Sequence, residues 1–192
     1  MTFADPYRDP GTGVLLNNFD ISDPRVCEAA EARLSALRIA ELELTPLPGL
    51  YDLPHLCRFH RHIFGDLYPW AGKVRRVDIA RTAPFASWRQ IEPYASGLFE
   101  ELRKEQYLRG LARAELLDRL AHYYVEVNAL HPFREGNGRA QRAFFAQLLL
   151  EAGWRLDLTA LDREAFVAAC RLGMSGPSEP LRSLFEDVLV PA

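Results

Sequence analysis

The residues best equipped for chemistry stand together in "HPFREGNGRAQR", His131 to Arg142, directly before an apolar run. Histidine is the side chain suited to accept a proton near neutral pH, so His131 is a candidate general base. Glu135 offers a hard carboxylate of the kind that binds Mg²⁺ beside a polyphosphate. Asn137 reads as an N-cap. The helix that it opens exposes first-turn backbone N–H groups, and Gly136 and Gly138 have no side chain to shield them, which makes an anion site. Arg139 and Arg142, three apart, share a helical face and would oppose the helix dipole unless an anion is bound. A phosphate chain, gripped by guanidinium groups, supplies that charge most simply. Phe133 is expected to point inward and pin the loop.

These residues need a scaffold, and the patterns around them supply one. "AFFAQLLLEAG" continues the helix with Phe144, Phe145, Leu148 and Leu149 on its apolar side, so its first turn is anchored in a core. Leu116, Leu120, Tyr123 or Tyr124, and Val127 mark a helix before the loop, and Ile91, Tyr94, Leu98 and Leu102 one before that. "PRVCEAAEARLSALRIAELEL" reads as a helix with Asp23 or Ser22 as cap, and "LPHLCRFHRHIF" as a shorter one. "TALDREAFVAACRL" and "PLRSLFEDVL" supply two more. The β signal lies in "KVRRVDIARTAPFASW", where Val74, Val77 and Ile79 predict a short strand in a hairpin spanning about 73–88. The expected fold is mainly α, a helical bundle with one small β-hairpin, in a single domain over 1–192 with an irregular arm over about 1–22.

Composition sets limits. The 192 residues carry 23 basic and 26 acidic side chains, a net charge of −3, which offers no global basic field for nucleic acid. Cys27, Cys57 and Cys170 are odd in number and scattered, against a disulfide framework. No basic-then-apolar leader and no long apolar run occurs, so a soluble cytoplasmic protein without membrane contact is expected. Gly72-Lys73 does not complete a phosphate-binding P-loop, because the spacing from Gly65 is too long and Val74 follows. His55, Cys57, His60 and His62 do not converge on one helical face, so structural roles are expected for them rather than zinc. Arg75, Arg76 and Arg81 on the hairpin either steer an acidic target or form an ordinary solvated face.

"HPFREGNGRAQR" matches, at every fixed position, the motif HPFx(D/E)GNGRxxR of Fic-domain proteins, and the resemblance extends through "DPGTGVLLNN", "HLCRFHRHIFGDLYPWAGKVR", "VDIA" and "GMSGPSEPLRSLFEDVL". The chain is most similar to the small bacterial Fic toxins of toxin–antitoxin modules. That resemblance implies a protein adenylyltransferase: AMP passes from ATP, with Mg²⁺, to a hydroxyl side chain of a target protein, here a subunit of DNA gyrase or of topoisomerase IV. It assigns His131 as base, Glu135 to Mg²⁺, Gly136, Asn137 and Gly138 to the anion hole, and Arg139 and Arg142 to the distal phosphates. Residues 131–152 form the catalytic loop and following helix. The hairpin becomes a flap that docks the target as an added strand through Val74, Val77, Asp78 and Ile79. Gly138 stands where a phosphorylating branch of the family has lysine. The inhibitory pattern (S/T)xxxE(G/N) is not completed at Ser96–Glu100 or Ser175–Glu179, and Pro180 disfavours a helix running through Glu179, so a separate antitoxin is expected to direct a glutamate at Arg142. The alternatives are another nucleotidyl or phosphoryl transfer on the same scaffold, or a non-catalytic nucleotide-binding module.

Overall fold

The computed structural model describes residues 5–80, 85–157 and 161–192. Among them are seven α-helices: α1 Pro24–Leu44, α2 Leu53–Phe64, α3 Ile91–Lys104, α4 Arg113–Leu130, α5 Asn137–Glu151, α6 Arg163–Gly173 and α7 Glu179–Val188. Three of their starts follow from short acids placed to accept first-turn amides. Asp23 accepts from Arg25 N–H, Asp52 from His55 N–H at 2.8 Å and Asp162 from Ala165 N–H at 2.6 Å. Pro180 occupies the first turn of α7, where its missing N–H costs nothing. None of these helices is long and apolar enough to cross a membrane.

Helix α5 is the central element. It packs against α2, α4 and the strand that follows it, and Ala140, Phe144, Phe145, Leu148 and Leu149 are fully buried. Helix α4 lies alongside with Leu116, Leu117, Leu120 and Ala121 equally buried, and α6 and α7 close the far side. The core therefore holds α4 and α5 rigidly on both sides of the loop 131–136. Tyr94 is half-exposed, its hydroxyl turned to Glu126, so the apolar stripe of α3 runs through Ile91, Ala95, Leu98 and Leu102 instead.

The named strands form a two-stranded antiparallel sheet of β1 Trp154–Leu156 and β2 Leu189–Pro191, which ties the end of α5 to the C-terminus with Arg155 opposite Val190. The sequence pattern did not point to it. The segment expected to be a hairpin does reverse, with Phe85 N–H donating to the Ile79 carbonyl at 3.3 Å. No named strand occurs among its described residues, and 81–84, including Arg81, lie outside them. The arm before α1 is irregular and lashed to the turn after α2: Asn18 N–H donates to the Leu67 carbonyl at 2.8 Å and Trp70 Nε1 to the Leu16 carbonyl at 3.2 Å.

Candidate active site

The loop 131–136 is held from behind, carbonyl by carbonyl. Arg75 Nε donates to the His131 carbonyl and Arg75 N–H to the Pro132 carbonyl, both at 2.8 Å. Asn137 Nδ2 donates to the Phe133 carbonyl at 2.7 Å while its Oδ1 accepts Phe133 N–H at 2.8 Å. His60 Nε2 meets the Glu135 carbonyl at 2.8 Å, and its Nδ1 accepts Gly72 N–H at 2.9 Å, an arrangement that requires the neutral Nε2–H tautomer. Burial favours that neutral form and lowers the His60 pKa to about 4. Phe133 is buried and stacks on the His60 ring at 3.9 Å, the inward orientation expected for it.

Asn137 is thus not the N-cap. It is the first residue of α5, with its carboxamide turned back into the loop, and the cap position falls to Gly136 in the left-handed conformation, φ +80°. Gly136 is required twice over, since a Cβ there would lie 2.4 Å from the Phe64 ring. With the Asn137 side chain engaged elsewhere, the amides of Asn137 and Gly138 have no acceptor among the described residues, so the anion site at the helix start is present in donors. Gly136 N–H is occupied by Glu135 Oε1 at 3.0 Å.

A cleft of about 180 Å³ opens over those amides, lined by His131, Glu135, Gly138 and Arg142, with Tyr124 and Asn128 of α4 on one wall and Phe166 and Cys170 of α6, with Met174 just past its end, on the other. His131 adopts the left-handed conformation at the end of α4, φ +44°, and its Nδ1 donates to the Asn128 carbonyl at 3.1 Å. A carbonyl can only accept, so Nδ1 carries a proton and the lone pair of the neutral ring is on Nε2. Phe85 stacks on the imidazole at 3.7 Å and 15°. A second recess of about 60 Å³, lined by Ile79, Ala80 and Phe85, meets the first at His131, Glu135 and Asn137.

The two arginines at fixed positions of the motif, Arg139 and Arg142, part company. Arg142 lines the cleft, and among the described residues no carboxylate pairs with it. Arg139 points away from it, ion-paired with Glu31 and donating to Ser35 Oγ of α1 at 3.0 Å, with its guanidinium 4.7 Å from the Phe64 ring centre. Arg139, expected to grip phosphate, is here turned to α1, which supplies it with a largely buried carboxylate that no local pattern would place there. Of the flap residues, Ile79 reaches the second recess, Val74 packs against the main core, Val77 is half-buried and Asp78 is exposed, where it accepts Trp88 N–H at 2.7 Å. Arg75 is no steering charge, because its side chain is fully buried. The histidines of α2 are structural as expected: His55 meets the Leu47 carbonyl at 2.9 Å and His62 the Arg38 carbonyl at 3.1 Å. Asn128, Phe85 and the α6 residues of the cleft were not legible from spacing, because nothing local distinguishes them from core or loop.

The model of the Fic/DOC family matches residues 50–149, which contain α2 to α4, the whole loop and all of α5 but its last two residues. The chain belongs to the Fic/DOC family. It is 41% identical to a probable protein adenylyltransferase Fic of Escherichia coli K12 over 96% of this chain and 92% of that one. It is 42% identical to the protein adenylyltransferase VbhT of Bartonella schoenbuchensis over 94% of this chain but only 38% of that longer one. Among solved structures, BepC of Bartonella tribocorum with bound AMPPNP superposes with a TM-score of 0.91 at 28% identity, covering 97% of both chains. The N-terminal Fic domain of a Bartonella quintana effector with bound ADP gives 0.88 at 29% identity, over 96% of this chain and 94% of that one. The mainly helical fold expected from the sequence is that of these Fic domains.

Proposed function

We propose that this Fic-family chain is a protein adenylyltransferase, transferring AMP from ATP to a hydroxyl side chain of a target protein. The observation that carries the reading is the placement of His131 where two recesses meet, its Nδ1–H committed to the Asn128 carbonyl and its ring clamped by Phe85. The larger recess takes the nucleotide, with the α-phosphate over the amides of Asn137 and Gly138 and the distal phosphates toward Arg142. The smaller one, bounded by the flap, takes the acceptor side chain. His131 Nε2 removes the hydroxyl proton as the oxygen attacks the α-phosphorus; the bond from that phosphorus to the bridging oxygen breaks and pyrophosphate leaves. Positioning and charge neutralisation account for the catalysis.

Glu135 lines both recesses and fits Mg²⁺: a single carboxylate suits an ion that retains several waters and takes phosphate oxygens of its substrate, and no cluster of three or more ligating side chains occurs among the described residues. When bound, the ion would neutralise charge on the phosphates. The names of the relatives support AMP as the transferred group, and the bound AMPPNP and ADP of the similar structures support a nucleotide in the cleft. The target proposed from the resemblance is a subunit of DNA gyrase or of topoisomerase IV, in a cytoplasmic toxin held off by an antitoxin. A cleft-facing Arg142 without a carboxylate partner among the described residues is suited to receive that inhibitor's glutamate.

ATP labelled on the α- or γ-phosphate, incubated with a bacterial lysate and wild-type or His131→Ala protein, tests the reading. Transfer of α-label alone, lost in the variant, is the expected result. Transfer of γ-label would make the protein a kinase, and nucleotide binding without transfer of either label would make it a binding module. Stable expression of active, non-toxic protein by itself would remove the separate antitoxin.

A further inference from the structure

We propose that Arg75 is a positioning residue for His131, coupling the flap to the catalytic base. Its side chain has no solvent exposure, yet the nearest carboxylate, Asp78, is 3.8 Å away and itself 65% exposed. A guanidinium withdrawn from water without a buried counter-ion is costly unless hydrogen bonds replace the lost solvent. Here they do so entirely with backbone. Nε donates to the His131 carbonyl at 2.8 Å, Nη1 to the Val77 carbonyl at 2.7 Å, and Nη2 to the carbonyls of Ala86 and, at 3.4 Å, Leu130. Val77 and Ala86 are on the outgoing and returning limbs of the flap. Leu130 and His131 are the end of α4 and the base.

The end of α4 shows what this fork completes. A helix leaves its last four carbonyls without intrahelical donors. The Val127 carbonyl accepts His131 N–H at 3.1 Å, the Asn128 carbonyl accepts His131 Nδ1–H, the Ala129 carbonyl accepts Ala86 N–H at 3.0 Å, and the Leu130 carbonyl accepts Arg75. Two of the four are satisfied by His131 itself and two by the flap. A cation at a helix C-terminus is also favoured by the dipole. The left-handed turn that aims the imidazole is therefore closed on one side by its own ring and on the other by flap residues gathered through Arg75, so displacement of the flap is transmitted to the proton acceptor. Lysine, with one compact ammonium, cannot hold four carbonyls in the geometry of this fork.

The inference rests on the proposed AMP transfer, and full-length Arg75→Lys and Arg75→Gln proteins test it by three measurements. AMPPNP affinity by calorimetry is expected to stay within about twofold of wild type, because Arg75 does not line the cleft. The initial rate of α-label transfer from saturating Mg-ATP to lysate proteins is expected to fall about 100-fold in Arg75→Gln, as for a misplacement of about 1 Å, and less in Arg75→Lys. The imidazole NMR signals of His131 are expected to shift in both variants while those of His122, earlier on α4, do not. Rates within about twofold of wild type with unmoved His131 signals would overturn the proposal. Parallel loss of AMPPNP affinity, or failure of both variants to unfold cooperatively, would also overturn it, by making Arg75 a residue of the fold alone. Absence of transfer by the wild type would instead strike the adenylyltransferase reading, and the histidine spectra would then decide the role of Arg75.

Discussion

The loop 131–136 and the first turns of α5 present two sides that differ in kind. On the cleft side stand His131, Glu135, Gly138 and Arg142, whose polar groups face a cavity. On the rear side stand Phe133, the Asn137 carboxamide and Arg139, joined by His60 and Arg75 from outside the motif, and these groups are consumed by backbone, by Ser35 or by Glu31. A motif twelve residues long thus encodes two jobs in alternation. Arg139 and Arg142, adjacent on one helical face, differ only in what the fold sets opposite them: α1 with a carboxylate for the first, an open cleft for the second.

If the division is right, substitutions on the cleft side cost activity and those on the rear side cost stability, Arg75 excepted, whose hold on the His131 carbonyl makes activity the expected loss. The largest effect is expected from His131→Ala, which should lower the rate of AMP transfer by about 10²–10⁴, as loss of a general base should, while the urea midpoint falls only by the roughly 1 kcal/mol of its lost hydrogen bond to the Asn128 carbonyl. Next comes Gly136→Ala on the rear side, where positive φ and the contact with Phe64 together should cost roughly 2–5 kcal/mol in urea unfolding; a normal midpoint would break the comparison there.

His60 sharpens it through pH. Its folded pKa, about 4, lies below the unfolded value near 6.5, so the unfolded chain binds the extra proton and stability falls as pH drops from 6.5 through 4. That contribution amounts to about 3 kcal/mol, on the basis of roughly 1.4 kcal/mol per unit. Urea midpoints at pH 7 and pH 5 should show the decline, and His60→Gln, although less stable at pH 7, should show less of it.

The arginines give the smallest effects and the sharpest contrast. Arg142→Ala should weaken AMPPNP binding by about 10- to 100-fold, the value of a charged hydrogen-bonded contact, with little change in melting temperature. Arg139→Ala should do the reverse, lowering stability by about 1–3 kcal/mol through the stranded Glu31 while calorimetry shows nucleotide affinity within about twofold of wild type. Equal losses of affinity in both would mean that Arg139 leaves Glu31 when nucleotide binds.

Much of this was legible in the chain. The periodicity of Leu116, Leu120 and Val127, and of Phe144, Phe145 and Leu148, marked the two helices that flank the loop, and all six are buried. Pairs far apart in sequence were not legible. β1 and β2 are three residues each and meet only because α6 and α7 return the chain to the end of α5. Asn137 looked like an ordinary N-cap because local propensity favours it there, whereas the structure gives the cap to Gly136 and uses the carboxamide to clamp Phe133. Arg75 reads as surface by residue type, and its burial depends on four carbonyls converging from three segments.

By itself the sequence determined the helical class, the loop with its base, carboxylate and glycines, and the family, since local periodicity and contiguous residue types carry that information. The tertiary structure alone decided which arginine faces the cleft, which nitrogen of His131 keeps its proton and which distant groups hold the loop from behind. The physical reason is that a polar side chain's role is set by the partner that satisfies it. For Arg139, Arg75 and His60 that partner is contributed by a part of the chain remote in sequence and brought near only by packing of the core.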